Sequence, residues 1–416
     1  MKNYFYPLAL SSWDDEEIDI ACDVIKSQRT TMGRFVSLFQ KNFSEYLGCS
    51  FSYMVNSGSS ANLLMASALK LYLDLYGDTR KTVLIPAVGW STSYAPFIQL
   101  GFKVRILDVS LSTFNLEPNA LVNVIDDDVV ALLAINILGN PAPLADLKQF
   151  CDKSDVFLLE DNCESLGAEI DCENNTSKKA GTFGIMSTHS FFFSHHINTM
   201  EGGCVSTSSK EFSLLLKVIR NHGWAREIKD DDFFTTDSGN SPVFHWFSSR
   251  MKGLERDQAD FEFMKSFYFL VPGFNLRPTE VQGALGVLQL KKLPGFVSQR
   301  RKNASLMRSV VADIDCLNMQ SEFGRSSYFG FGFILDSSRQ RDSVTAYLDS
   351  KGVQVRPIVS GSIARHPIAS FMGSTTKLTS ADAIHARGFF VGNHHIDFSN
   401  HIQALGGLLR DYVSSF

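Results

Sequence analysis

The chain has 416 residues, of which 44% are hydrophobic, so it can bury a large core and has room for two domains. Its 39 basic and 44 acidic residues give a net charge of −5 without a long basic tract, which argues against a nucleic-acid-binding protein. The longest apolar run, around Val129–Ile135, is too short to cross a bilayer, and the N-terminus lacks a convincing apolar signal segment. We therefore expect a cytoplasmic globular protein with no nucleic-acid or membrane partner.

Seven cysteines are present, and none forms a Cys-x-x-Cys pair. This odd, scattered set argues against a disulfide framework or a zinc ribbon. We expect reduced, mostly buried thiols and no metal site.

Helix and strand patterns alternate along most of the chain. Ser12 precedes an acidic stretch and is predicted to cap a helix toward Ile25, and a second amphipathic helix is predicted over residues 35–46. Further helices are predicted near residues 62–76 and 143–153, and segments rich in β-branched residues are predicted as strands at 82–86, 104–107, 129–137, 156–160 and 204–207. This order is typical of an α/β fold with a mostly parallel sheet and helices on both faces.

The pattern changes near residue 291, after a helix predicted over residues 280–292, to a smaller α+β region. We therefore predict a large domain over residues 1–290 and a small C-terminal domain over residues 291–416. Residues 225–269 carry acidic and aromatic clusters with few periodic runs, so we interpret them as a long excursion from the large domain.

Open α/β sheets bind ligands at the carboxyl ends of their strands, so the residues after each strand are candidates for a site. After residues 51–55 comes a turn of small residues, including Gly58 and Ser59, that leads into a helix. Unpaired N–H groups at a helix start bind phosphate well, although a plain serine-capped turn explains the same residues.

Three more strand ends carry distinctive side chains. Trp90 offers a flat ring on which a ligand could stack, although most aromatic side chains belong to the core. Asp161 ends a buried strand, where a carboxylate needs a partner such as a protonated pyridine nitrogen, or else caps the next turn. Glu164 lies nearby and could be a solvated turn residue. Ser190 and the pair His195 and His196 follow a further possible strand at residues 184–189.

In this order and spacing, the chain resembles the pyridoxal-phosphate-dependent sugar aminotransferases of the DegT/DnrJ/StrS family. The resemblance covers nearly the whole chain and rests on the segments TMGRFVSLFQKNF, NSGSSANLL, LEDNCESLGAEI, SFFFSHHINTMEGG, GFNLRPTEVQGALGVLQLKKL and GFFVGNHH. It implies the type I aminotransferase fold. It also implies that Gly58, Ser59 and Ser190 bind the cofactor phosphate, and that Asn275 reaches the phosphate from the neighbouring subunit of a homodimer. For the pyridine ring, it implies that Trp90 stacks on the ring, that Asp161 pairs with the ring nitrogen, and that Glu164 lies near the phenolic oxygen.

One position departs from the aminotransferases of that family. Their pattern is Ser-Phe-x-x-x-Lys, where the lysine forms the Schiff base with the cofactor, and a Glu or Asp with two glycines follows. Counting from Ser190, or back from Glu201, places His195 in the lysine's position, and no lysine occurs between Lys179 and Lys210. We therefore expect pyridoxal or pyridoxamine phosphate to be held noncovalently.

Within the family, histidine at this position marks the sugar 3-dehydratases. One group of them also binds an iron–sulfur cluster, but only Cys204 and Cys316 follow His195, too few for four thiolate ligands, so no cluster is expected. The resemblance implies removal of the C3 hydroxyl of a nucleotide-linked 4-keto-6-deoxy sugar, GDP-4-keto-6-deoxymannose, with His195 as acid and base. Glutamate would then restore pyridoxamine phosphate.

Arg220, His222 and Arg356 resemble family positions near the nucleotide sugar, where arginine pairs well with a diphosphate. A departure occurs at Gly361-Ser362, where the family pattern leads us to expect glycine followed by asparagine. Two other functions remain open: an aminotransferase that works without the lysine, and a noncatalytic protein that binds the cofactor for regulation. His195 could also be a satisfied polar residue packed on the aromatic run before it.

Overall fold

The structure, a computed structural model, describes residues 4–172, 176–228, 241–257, 267–373 and 377–414. In chain order its strands are β1 (Phe51–Val55), β2 (Thr82–Pro86), β3 (Lys103–Leu107), β4 (Val129–Ile135), β5 (Phe157–Asp161), β6 (Glu169–Cys172), β7 (Thr176–Lys179), β8 (Met186–Ser190), β9 (Gly203–Thr207), β10 (Leu317–Met319), β11 (Gly330–Leu335), β12 (Val355–Arg356) and β13 (Gly388–Gly392). Its α-helices are α1 (Asp15–Lys26), α2 (Arg34–Leu47), α3 (Gly58–Tyr76), α4 (Ser91–Gln99), α5 (Leu144–Lys153), α6 (Lys210–Arg220), α7 (Pro242–Asp257), α8 (Glu280–Val311), α9 (Ser338–Ser350), α10 (Thr379–Arg387) and α11 (Ser399–Ser414).

The main sheet has the strand order β1-β9-β8-β5-β4-β2-β3. Neighbours from β8 to β3 run parallel, whereas β9 is antiparallel to both β1 and β8. Along β2, Val83 and Ile85 belong to the hydrophobic cluster on one face and Leu84 to the cluster on the other. Both faces are therefore covered, which explains why a central strand such as β4 is apolar throughout. The predicted mostly parallel α/β sheet is confirmed.

The cap of the first helix lies two residues later than predicted. Asp14, not Ser12, is the N-cap of α1, and it forms a reciprocal capping box with Glu17. The Ser12 hydroxyl instead donates to Gln289 Oε1 at 2.6 Å, a partner from α8. The prediction of Ser12 as the cap was wrong because the Asp14–Glu17 pair satisfies more helix N–H groups than a lone serine can.

Helix α8 is much longer than predicted, because it passes Lys292 and Pro294 and ends only at Val311. Buried Val297, Ala304 and Met307 continue at helical spacing beyond the proline. Their burial outweighs the hydrogen bond that Pro294 cannot make. The predicted boundary between residues 290 and 291 falls inside this helix, and the division into two domains stays a prediction.

The second half of α8 packs with α9 and α11 on a separate four-stranded sheet, whose order is β10-β11-β13-β12. All neighbours in this sheet are antiparallel. The α+β character expected for the C-terminal region is present.

The start of α8 also stabilises the start of α2. Gly33, the N-cap of α2, has no side chain that could cap the helix. Glu280 takes that role, because its carboxylate accepts the backbone N–H of Gly33 at 2.6 Å, of Phe35 at 2.6 Å and of Val36 at 3.3 Å. A Cβ at Gly33 would lie 2.7 Å from this carboxylate, so a side chain there would push the carboxylate out of its capping position.

Part of the predicted excursion at residues 225–269 lies outside the described residues, namely 229–240 and 258–266. The described part contains α7, whose Val243, Phe244 and Phe247 join the main core. The segment thus holds more regular structure than its sequence suggested. Within the described ranges, the structure has no helix of the length and apolarity that a bilayer crossing requires.

Candidate functional site

The turn between β1 and α3 meets the end of β8. Helix α3 begins at Gly58, and the Ser57 hydroxyl caps it by accepting the Ser60 N–H at 3.0 Å. A Cβ on Gly58 would lie 2.5 Å from the Cβ of Ser190, so these two predicted residues are in close contact. Ser59 is exposed, and its hydroxyl donates to Thr92 Oγ1 at 3.1 Å. The N-terminus of α3 and the Ser190 hydroxyl therefore face one small region suited to an anion.

Asp161, the last residue of β5, is 4% exposed. Its Oδ2 accepts the Ser93 hydroxyl at 2.7 Å and the Asn62 amide at 3.0 Å, and its Oδ1 accepts the Cys163 N–H at 3.1 Å. Asn62 is fixed in turn by Thr188, which donates to its Oδ1 at 2.7 Å. The carboxylate is thus held in one orientation.

Sequence reasoning missed Ser93 and Asn62. Ser93 lies in the first turn of α4, shortly after Trp90, and Asn62 lies in the helix that the phosphate turn opens. Both positions follow a predicted strand end, and this is the only signal that could have pointed to them.

Trp90 is the N-cap residue of α4, and 59% of its side chain is exposed. It is therefore not a core residue, and its ring is available as a stacking surface. The segment with Gly361 and Ser362, which departs from the family pattern, packs against the residues just before Trp90. The Ile363 N–H donates to the Ala87 carbonyl at 2.8 Å, and Ser362 pairs with Val88.

Glu164 is half-buried, and its Oε2 accepts the Leu138 N–H at 2.9 Å. Burial, together with the negative charge of Asp161, raises the pKa of Glu164 to about 7. Leu138 has a φ of 55°, an unusual value for a residue other than glycine, and this backbone turns its N–H toward the carboxyl group. Near neutrality Glu164 can therefore either donate or accept a proton.

His195 lies in the loop after β8, where its ring meets Phe329 edge-on at 5.2 Å and Phe192 at 6.2 Å. Its Nδ1 lies 3.4 Å from the Ser194 hydroxyl, and its Nε2 has no partner among the residues that the structure describes. Burial, and secondarily the charge of Arg300, lowers the pKa of His195 to about 4. The imidazole is therefore neutral near pH 7 and can accept a proton.

His196 differs from its neighbour. It is 1% exposed, and its Nε2 lies 3.1 Å from the Ser327 carbonyl, so this nitrogen carries the proton and donates. Burial lowers the pKa of His196 well below its ordinary value. His196 is a structural residue in the interior, whereas His195 is half-buried with an available nitrogen.

Arg220 is buried at 3% exposure. Its Nη1 donates to Gln40 Oε1 at 2.6 Å and to the Met54 carbonyl at 2.8 Å, and its guanidinium lies over the ring of Tyr53. This placement favours a role inside the fold, and the predicted pairing with a diphosphate gains no support from it.

The remaining predicted residues lie at the surface or close to it. The half-buried His222 packs on Trp224 with 4.6 Å between ring centroids, and Arg356 is exposed on β12. Asn275 is exposed and accepts the Arg277 Nε–H at 2.9 Å. The next carbonyl, that of Leu276, accepts the Asn56 N–H at 3.0 Å, so this segment lies beside the phosphate turn of its own chain. The contribution of Asn275 to a neighbouring subunit stays a prediction.

The residues brought together fit a phosphorylated pyridine. The N-terminus of α3 and the Ser190 hydroxyl suit the phosphate. The space between them is open only because residue 58 is glycine, since a side chain there would fill it. The oriented carboxylate of Asp161 suits a protonated ring nitrogen, and the exposed ring of Trp90 suits a flat heterocycle.

A model of the DegT/DnrJ/EryC1/StrS aminotransferase family matches residues 11–400. The chain is 39% identical over 410 residues to the GDP-4-keto-6-deoxy-D-mannose 3-dehydratase of Yersinia pseudotuberculosis, covering 97% of this chain and 98% of that protein. It also superposes on the E. coli GDP-4-keto-6-deoxy-D-mannose-3-dehydratase with bound hydrated PLP, with a TM-score of 0.87, 37% identity and coverage of 98% of this chain and 100% of that one. A structure of GDP-4-keto-6-deoxymannose-3-dehydratase with a trapped PLP-glutamate geminal diamine matches with a TM-score of 0.86 and 38% identity, covering 97% and 100% of the two chains. The aminotransferase fold expected from the sequence is confirmed.

Proposed function

Since the chain belongs to the DegT/DnrJ/EryC1/StrS aminotransferase family, we propose that it is a sugar 3-dehydratase that uses noncovalent pyridoxamine phosphate. Its substrate is a nucleotide-linked 4-keto-6-deoxy sugar, GDP-4-keto-6-deoxymannose by the names of its relatives. The observation that carries the proposal is His195: a neutral imidazole with an available Nε2 stands where the family pattern has the Schiff-base lysine.

The chain's own residues divide the work of holding the cofactor. The backbone N–H groups at Gly58 and Ser59, with the Ser190 hydroxyl, bind the phosphate. Trp90 supplies the stacking surface. Asp161 holds a proton on the pyridine nitrogen, and its bonds to Ser93 and Asn62 keep the carboxylate aimed while it does so.

When bound, pyridoxamine phosphate supplies an amine for the C4 ketone and a ring that accepts electrons. His195 Nε2 would be the base for the proton on the cofactor carbon that bears the amine. The resulting imidazolium would then be the acid that protonates the departing C3 hydroxyl, so that it leaves as water. Because its pKa lies below neutrality, the resting imidazole is unprotonated at pH 7, and the imidazolium formed from it is a strong proton donor toward the departing hydroxyl.

Glu164 adds a second group that exchanges protons near pH 7. With its pKa raised to about 7, Glu164 would be able to share a proton with the cofactor's phenolic oxygen, which the family resemblance leads us to expect nearby. Its bond to the Leu138 N–H holds the carboxyl group in place without fixing its charge.

Partners are part of the proposal. Glutamate restores pyridoxamine phosphate, and the similar protein trapped with a PLP-glutamate geminal diamine supports this choice. The active form is a cytoplasmic homodimer in which Asn275 reaches the neighbouring phosphate. Arg356 and His222 contact the nucleotide sugar, because both are accessible, whereas Arg220 is buried.

The test is a product analysis. The purified chain is incubated with pyridoxal phosphate, glutamate and a panel of nucleotide-linked 4-keto-6-deoxy sugars, and products are identified by mass spectrometry. Dehydration gives a sugar with one oxygen fewer, together with equal amounts of ammonia and 2-oxoglutarate. A 4-amino sugar without ammonia would identify an aminotransferase instead, and tight cofactor binding without turnover on any sugar would indicate a regulatory protein.

A further inference from the structure

Two neighbouring arginines of α8 face the segment 325–329, which we call the support segment. Arg301 donates from Nε to the Ser326 carbonyl at 2.9 Å and from Nη2 to the Arg325 carbonyl at 3.3 Å. Arg300 Nη1 lies 3.3 Å from the Tyr328 carbonyl and 3.2 Å from the Phe329 carbonyl. With His196 on the Ser327 carbonyl, every carbonyl of the support segment accepts a side-chain hydrogen bond.

The support segment connects the two groups that handle protons in the proposed reaction. The Phe329 ring lies edge-on to His195 with 5.2 Å between centroids. The Phe329 N–H donates to the Leu138 carbonyl at 2.9 Å, and the Leu138 N–H donates to Glu164. A shift of this segment would therefore move the surface on which the imidazole lies and also disturb the residue that orients the carboxyl group.

Arg300 is 4% exposed, and the part of the chain that the structure describes gives it no carboxylate partner. Its third acceptor is the Asn393 carbonyl at 2.6 Å, so every acceptor of its guanidinium in the described residues is a neutral carbonyl. Burial lowers the pKa of Arg300 only to about 10, so the side chain remains charged near pH 7. A buried, uncompensated charge is costly, and the fold could have satisfied these carbonyls with neutral donors.

We propose that Arg300 is a positioning residue for His195: it fixes the support segment against the imidazole and holds an uncompensated positive charge behind that segment. This inference rests on the proposed function, in which His195 accepts a proton.

The electrostatics around the imidazole agree with the geometry. The charge of Arg300 lowers the pKa of His195 in addition to burial, and it acts on His196 in the same direction. His196 is neutral and bonded to Ser327, and Glu164, on the far side of Leu138, is about half protonated near pH 7. Arg300 is therefore the one full charge shown to act on His195 among the described residues.

Two variants separate the charge of Arg300 from its hydrogen bonds. Arg300→Lys keeps the positive charge but loses the planar guanidinium that bonds several carbonyls at once. Arg300→Gln keeps an N–H donor but loses the charge. Arg301→Gln is the matched control, because it removes bonds to the same support segment from a residue whose charge is not among those acting on His195.

The first readout needs no turnover. The full chain is labelled at the histidine Cε1 carbon and titrated by NMR with and without pyridoxamine phosphate, and the His195 signal is assigned by its loss in His195→Asn. In the wild-type protein we expect a midpoint at least about one unit below the ordinary 6.5. Arg300→Gln should raise it by about 0.5–1 unit, whereas Arg300→Lys and Arg301→Gln should leave it near the wild-type value.

The second readout is the acidic limb of the pH profile of kcat/KM, which should move upward with the His195 midpoint in Arg300→Gln only. A wild-type midpoint at or above 6.5 would overturn the inference even if Arg300→Gln failed to fold. If the His195 midpoint shifted equally in Arg300→Gln and Arg301→Gln, or in neither, Arg300 would have only a structural role and the inference would be wrong. If the wild-type protein lacks dehydratase activity, the proposed function fails while the NMR comparison still decides whether Arg300 controls His195.

Discussion

Gly58 and Ser190 touch so closely that a Cβ on the glycine would lie 2.5 Å from the Cβ of the serine and 2.8 Å from its hydroxyl oxygen. Position 58, the first residue of α3, therefore has no room for a side chain. In Gly58→Ala the helix start and the end of β8 must move apart, which costs about 1–3 kcal/mol. Because both groups are proposed to bind the phosphate, we expect the affinity for pyridoxal phosphate to fall by about tenfold or more, as measured by fluorescence titration.

The control for this variant is Gly295→Ala, since a Cβ at Gly295, within α8, meets no atom within 4 Å. It should leave the affinity unchanged and stabilise the helix slightly. Equal affinities for both alanine variants would remove Gly58 from the phosphate site.

The second prediction concerns His195. His195→Asn keeps a polar side chain of similar size but cannot act as a base, so turnover should fall by about 10²–10⁴-fold while cofactor affinity changes little. In the wild-type protein, borohydride treatment and peptide mapping should find no lysine modified by the cofactor. His195→Lys restores the amine of the family pattern, so the same treatment should then label position 195, and most dehydration should be lost.

His196→Asn provides the comparison with a neighbouring residue. It removes a buried hydrogen bond to Ser327, so the free energy of unfolding should fall by about 1–3 kcal/mol, as measured by urea unfolding. The folded fraction should keep far more activity than His195→Asn does. Near-normal turnover in His195→Asn would contradict the assignment of His195 to the lysine's position.

A third prediction tests the proposed homodimer. If Asn275 reaches the phosphate of the neighbouring subunit, dilution to monomer should weaken cofactor binding. Sedimentation at falling concentration, followed by cofactor fluorescence, measures both quantities. Asn275→Ala should weaken binding without changing the sedimentation behaviour of the dimer. A stable monomer that binds the cofactor fully would exclude Asn275 from the site.

The fourth prediction is a loss of stability in mild acid. Burial lowers the pKa of His189 and His394 to about 3 and of His195 and His395 to about 4. Between about pH 6.5 and 4, these histidines are therefore protonated in the unfolded chain but not in the folded chain. Because the unfolded chain binds more protons, the free energy of unfolding falls as the pH falls through this window. Glu164, with its raised pKa, works in the opposite direction but binds only one proton.

Urea unfolding of the cofactor-free chain at pH 7, 6 and 5 should therefore show decreasing stability, by about 1.4 kcal/mol per pH unit for each net proton bound. His189→Leu is the matched variant, because both ring nitrogens of His189 are buried without a partner in the described structure. It should be at least as stable as the wild-type protein at pH 7 and should lose less stability at pH 5. A flat stability between pH 7 and 5 would contradict the pKa shifts.

The strand ends made much of the site predictable. Trp90 and Asp161 follow or end strands whose apolar runs are visible in the sequence, whereas Ser190 ends β8, a mostly polar segment that was only a possible strand. Parallel strands bring such ends to one edge of the sheet. These positions depend on local pattern and topology, which a single sequence carries. The position of His195 was found by counting from these landmarks.

The partners of these residues could not be predicted in the same way. Asn62 and Ser93 contact Asp161 from 99 and 68 residues away along the chain. Arg300 acts on His195 from the part of α8 beyond Lys292, where the sequence predicted that the helix would end. Both failures concern tertiary contacts, which depend on three-dimensional packing that local propensity does not describe.

The cap that Glu280 provides for α2 has a consequence for synthesis of the chain. Phe35, whose N–H the carboxylate accepts, precedes Glu280 by 245 residues. At translation rates of about 5–20 residues per second, the ribosome needs roughly 12–50 s to reach Glu280 after Phe35 has been made. During that interval the start of α2 lacks its acceptor, and the apolar face formed by Phe39 and Phe43 lacks the α8 side chains that later cover it. Nascent chains halted before residue 280 should therefore be the species on which proteases and chaperones act.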